Sequence, residues 1–112
     1  NMDIIQVVKG DTGPQIKATV TRSDTGAAFI SGTADTNLRI RKKGTSTIIS
    51  TIPLDTVESS VGVGVLVFPL SSFLTNAATT EGFYEAEIEF TLSDGQIMSV
   101  FELIDIKVRG DF

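Results

Sequence analysis

Between Glu81 and Val108 the chain carries a pattern that two half-buried strands satisfy and a helix does not. Tyr84, Ala86, Ile88, Phe90 and Leu92 alternate with Glu85, Glu87, Glu89 and Thr91. Successive side chains of a strand point to opposite faces, so one face here is apolar and the other is set with carboxylates. A turn at Ser93-Asp94-Gly95-Gln96 follows. The chain then returns as a second strand, from Gln96 to Arg109. Ile104, Ile106 and Val108 point one way on it, and Asp105, Lys107 and Arg109 the other. Such a hairpin needs further strands to cover its apolar face.

The upstream residues supply them. Asp3 to Lys9 is a β-branched run ended by a turn cluster, Gly10-Asp11-Thr12-Gly13-Pro14. Gln15 to Arg22 sets Ile16, Ala18 and Val20 against Lys17, Thr19 and Thr21. Ser23-Asp24-Thr25-Gly26 has turn composition, and Ala27 to Asp35 holds at most a short strand at Ala28, Phe29 and Ile30. Thr36 to Lys42 alternates with Leu38 and Ile40 inward. Lys43-Gly44-Thr45-Ser46 turns the chain, and Thr47 to Leu54 returns. Pro53 lacks a ladder donor, which places that strand at a sheet edge or ends it there. Asp55 to Ser60 is a polar link, and Gly62 to Leu70 reads as a strand whose glycines mark a bulge or a close backbone approach. Ser71 to Thr80 is the single stretch with helical spacing, one or two turns capped by Ser71 or Ser72. About eight short strands in 112 residues, with turn signals between them, predict one all-β domain over 1–112, an antiparallel immunoglobulin-like β-sandwich.

Gly82-Phe83-Tyr84 sharpens that expectation. In immunoglobulin-type sandwiches a tyrosine near the start of strand F bonds back across the preceding corner, two residues before the second cysteine. Tyr84 is the only tyrosine, it follows Gly82, and Ala86 stands in the place of that cysteine. The disulfide pair and the strand-C tryptophan are missing, so the likeness is architectural. Tyr84, Gly82, Asp94 and Gly95 are the positions expected to hold the framework.

Composition narrows the chemistry. With no cysteine and no histidine, the chain lacks disulfides, thiolate ligands, the commonest general base and the commonest transition-metal ligand. A net charge of −5 argues against a nucleic-acid partner. Arg39, Arg41, Lys42 and Lys43 read as a solvated hairpin tip. Glu85, Glu87 and Glu89 could converge as a carboxylate pair or a hard-cation site, but read more simply as the solvent side of a strand. Asp24, Asp55, Asp94 and Asp105 form no calcium loop, although a site shared between loops stays open. The longest apolar run, Val61 to Leu70, is far below the ~20 residues of a membrane helix. Met2-Asp3-Ile4 does not open as a signal peptide does, and Asn1 before Met2 reads as an expression-tag remnant. The expectation is no enzyme, no catalytic residue, no cofactor, no metal, no nucleic acid and no membrane.

Several stretches together resemble one family. These are Ile5 to Ile16 with its Lys-Gly-Asp-Thr-x-Pro core, the Asp24-Thr25-Gly26 turn, and Leu38-Arg39-Ile40-Arg41. Gly82 to Glu89 with Ser93-Asp94-Gly95-Gln96, and Ile106 to Phe112, complete the set. The chain resembles the amino-terminal immunoglobulin-like domain of phage baseplate upper proteins, from tailed phages and prophages of Gram-positive bacteria. The resemblance implies a structural module, the first domain of a longer protein, anchored to the baseplate and holding receptor-binding proteins. It implies other baseplate and tail proteins as partners, a homo-oligomer (a trimer being the form weighed), assembly in the bacterial cytoplasm and residence in the virion. The alternative from the residues is a host-surface adhesion module that binds carbohydrate or calcium. The structural module would dock through a sheet edge, and the Ile48-Ile49 strand is one candidate.

Overall fold

A computed structural model of the chain describes residues 4–20, 33–100 and 102–110. Among these residues there are eight strands: β1 (Ile5–Val8), β2 (Gln15–Thr19), β3 (Thr33–Lys42), β4 (Ile48–Pro53), β5 (Val65–Pro69), β6 (Gly82–Leu92), β7 (Ile97–Ser99) and β8 (Ile104–Arg109). A short helix, α1 (Ser71–Leu74), lies between β5 and β6. One sheet has the order β1-β8-β6-β3-β4, with β7 also on β6, and the other pairs β2 with β5. This is an immunoglobulin-like β-sandwich. β8, β6, β3 and β4 take the places of strands G, F, C and C′, and β2 and β5 those of B and E.

The inward residues are those that alternation selects. Leu38 and Ile40 of β3, Ile16 of β2, Leu66 and Phe68 of β5, and Tyr84, Ala86, Ile88 and Phe90 of β6 join Ile104, Ile106 and Val108 of β8 in one core. β6 is the central strand, paired along its length with β3 and, on its other side, with β8 and then β7. Ile52 is the buried residue of β4, as expected for an edge strand whose other residues face solvent or the rim.

Four expectations need correction. The strand after the Asp94-Gly95 turn is not continuous. β7 pairs Thr91 with Ile97 and Glu89 with Ser99, whereas β8 pairs Ala86 with Ile104, two residues out of that register. A shift of two keeps the alternation of faces, so Ile104 still lies on the core side.

The glycines at 62 and 64 do not make a bulge. Val61–Val63 forms a 3₁₀ turn, and Gly64 closes it in the left-handed region at φ 78°. β5 starts only at Val65. The helix is one turn long, and its cap position is Leu70, which makes no side-chain cap bond, instead of Ser71 or Ser72. Burial of Phe73 and Leu74 holds it in place.

The fourth correction concerns strand direction. β1 runs parallel to β8, in register Ile5↔Ile106 to Val8↔Arg109. After β1 the chain crosses to the second sheet, so its first strand lies along its last without a hairpin between them. The turn at Ser23 to Gly26 and the short strand at Ala28 to Ile30 lie outside the described residues.

Thr79 is buried, and its hydroxyl has no hydrogen-bond partner among the described residues. A buried polar group without a partner is destabilising. Thr79→Val keeps the shape and removes that group, so the variant should unfold at equal or higher denaturant, by up to ~1 kcal/mol.

Candidate interaction surfaces

Four framework positions named from the sequence lie at the two ends of β6, about 30 Å apart at ~3.4 Å per residue. They do not form one site. At the first end the Tyr84 hydroxyl donates to the Thr80 carbonyl at 2.7 Å and accepts from the Thr80 amide at 2.8 Å. The ring stands edge-on to Phe73 at 5.2 Å. Gly82, at φ 142°, lets the chain turn from that corner into β6. At the other end Gly95 takes φ 90° and donates to the Leu92 carbonyl. The Asp94 carboxylate accepts from the Gln96 amide. Both ends are turn chemistry that fixes the strand.

Cross-strand ion pairs cover the outer face of the large sheet. Register sets Arg39 opposite Glu87 and Arg41 opposite Glu85. Arg39 donates to Glu89 at 2.7 Å and reaches Glu87 at 3.5 Å, and Arg41 donates to Glu85 at 2.8 Å. Lys43 pairs with Asp105 at 3.2 Å. The arginines therefore do not form a free solvated tip, and the three glutamates are not simply a solvent face. Each group neutralises the other on a half-buried surface. The signal was in the sequence as two alternating runs of opposite sign, but which run faced which depended on the strand order. Arg39→Ala removes the partner of two glutamates. Stability should fall by about 0.5–1 kcal/mol at low salt, and the loss should shrink as ionic strength rises. Parallel urea titrations at two salt concentrations check this.

The loop acids are similarly occupied. The Asp55 carboxylate accepts from the amides of Val57 and Glu58, closing a local turn. Asp94 does the same for Gln96, and Asp105 holds Lys43. Asp24 lies outside the described residues. No group of three or more acidic, histidine or cysteine side chains with metal-holding geometry occurs among the described residues.

β4 does lie at a sheet edge, but that edge is blunted. The Leu54 amide donates to Thr36 of β3, so residues of its parity face β3, and Pro53 and Thr51 face outward. Pro53 has no N–H to offer. The outward carbonyl of Ile49 accepts from the Asn76 side-chain amide at 3.3 Å, and the ladder is irregular between Ile40 and Arg41. Proline, a bulge and a capped carbonyl are devices that keep an edge from pairing. Exposed apolar side chains lie elsewhere: Ile4 just before β1, Val57, Val61 and Val63 around the β4–β5 connection, Ile97 and Met98 on β7, and Phe83 on the outer face beneath the Lys107 ammonium.

No family model matches the chain, and no curated protein does either. Solved structures similar in shape include two β-sandwich proteins. CopC from Methylosinus trichosporium OB3b is 14% identical, over 96% of this chain and 84% of that one, with a TM-score of 0.47. Murine CRIg is 15% identical, over 93% and 92%, with a TM-score of 0.37. At such scores the immunoglobulin-like assignment rests on the sheet order and core described above.

Proposed function

We propose that this domain is a non-enzymatic structural module of a phage tail or baseplate, which docks onto neighbouring virion proteins and anchors the receptor-binding apparatus. The observation that carries the reading is the set of family-like motifs at Ile5–Ile16, Asp24–Gly26, Leu38–Arg41, Gly82–Glu89, Ser93–Gln96 and Ile106–Phe112. Those among the described residues fall on β1, β2, β3, β6, the β6–β7 turn and β8. The ordered groups also suit a scaffold. The conspicuous carboxylates are taken up by arginine, lysine or backbone amides, so their role is to fix strands and turns.

The test is genetic. Deleting this domain from the full-length gene in the encoding phage or prophage should give tails that lack receptor-binding proteins and fail to adsorb to the host. Tails that keep their receptor-binding proteins and adsorb normally without the domain would contradict the proposal. Calcium-dependent stabilisation of the isolated chain in thermal melts would instead favour the adhesion alternative, because a ligand bound only to the folded state raises its stability.

A further inference from the structure

We infer that β1 is a pairing edge for a second copy of this chain, the two β1 strands meeting antiparallel about a two-fold axis at Gln6. The large sheet has two outer edges on its main path, β4 and β1. The first is blocked by Pro53 and Asn76, as described above. The second has no such protection among the described residues. The Lys9 amide donates to the Arg109 carbonyl of β8. By strand alternation Ile5 and Val7 also face β8, and Ile4, Gln6 and Val8 turn their backbone groups away from it. Of these, only the Val8 carbonyl is engaged, by the Asp11 amide at 3.2 Å.

The register about Gln6 is self-complementary. A two-fold axis there sets Gln6 against Gln6 and Ile4 against Val8 of the second copy. The Gln6 pair exchanges both backbone bonds, and each Val8 amide meets an Ile4 carbonyl. Ile4, Gln6 and Val8 project to the outer face, because Val7 is buried in the core and side chains alternate. Ile4 is 47% exposed, a large apolar residue on an open edge. Pairing covers it with Val8, an apolar cross-strand pair of the kind that stabilises sheets.

Ile4 and Val8, and Ile5 and Val7, are equidistant from Gln6, so the segment Ile4-Ile5-Gln6-Val7-Val8 sets β-branched against β-branched and amide against amide. That self-complementarity selects a second copy over an unrelated strand. An open groove of about 560 Å³ beside β1, lined by Gln6, Val8, Glu81, Lys107 and Arg109 among others, leaves room on this face for the incoming Ile4 side chain.

This goes beyond the proposed function and does not depend on it: the pairing can hold in a protein that never enters a virion. Light scattering on the chain across a concentration series should give a mass that rises from monomer to dimer. The double variant Ile4→Lys with Val8→Lys sets like charges opposite each other on an exposed face and should remain monomeric with native circular dichroism. Thr51→Lys on β4 should leave the dimer intact. Hydrogen exchange on the unmodified chain keeps the test independent of the variants: the Gln6 and Val8 amides should slow by about tenfold or more once most chains are paired. A monomer at every concentration overturns the inference. So does a trimer, a dimer indifferent to the two lysines, or protection that appears on β4 in place of β1.

Discussion

Phe68→Ala should lower the free energy of unfolding by about 3–5 kcal/mol, the usual cost of removing a buried phenylalanine side chain. Phe68 is fully buried on β5, paired across the small sheet with Ile16. It is one of the largest fully buried side chains and belongs to the same core as Leu38, Ile88 and Phe90 of the large sheet. Its removal opens a void between two sheets whose spacing is held by many other contacts, so the space cannot close. A domain of this size has a stability of about 5–15 kcal/mol in all. The loss is therefore a large fraction of the whole. Urea denaturation followed by circular dichroism measures the shift, and an unchanged slope would show that the loss lies in the folded state.

Tyr84 gives the second large effect, and two substitutions divide it. Tyr84→Ala removes a fully buried ring and its edge-on contact with Phe73, and should cost about 3–5 kcal/mol. Tyr84→Phe keeps the ring and deletes the hydroxyl that joins both backbone groups of Thr80. Thr80 is exposed, so water can take over part of that bonding. The expected cost is about 1–2 kcal/mol, towards the lower part of the range for an abandoned hydrogen-bonding group. If Tyr84→Phe were as damaging as Tyr84→Ala, the hydroxyl and not the ring would be organising the corner. If it were silent, the bonds to Thr80 would contribute nothing net, and Gly82 with the burial of Phe73 would have to hold the turn.

Local alternation made most of the sheet legible. Leu38 and Ile40, Ile16 and Ala18, and Tyr84 to Phe90 each announce an inward face by period alone, and burial depends on little else. Turns were readable where glycine must take positive φ, at Gly44 and Gly95. Features set by distant partners were not readable. The break between β7 and β8 exists because β6 must satisfy two registers, and Gly62-Val63 looks like a strand until Val65 is seen to be the first residue paired with β2. Arg39 and Glu89 are 50 residues apart, so their pairing appears only once β3 lies beside β6. The two sheet edges were equally hidden. Pro53 identified β4 as an edge, but its capping by Asn76 needed the fold, and nothing local marks β1 as the strand beside β8.

The measurement that bears most directly on the functional account is cross-linking mass spectrometry on intact, purified phage particles from the encoding strain. The account predicts this chain in the particles at a fixed ratio to other tail proteins, with cross-links from its lysines, Lys17 and Lys107 among them, to baseplate neighbours. A chain missing from purified particles and recovered instead from the cell envelope would contradict it.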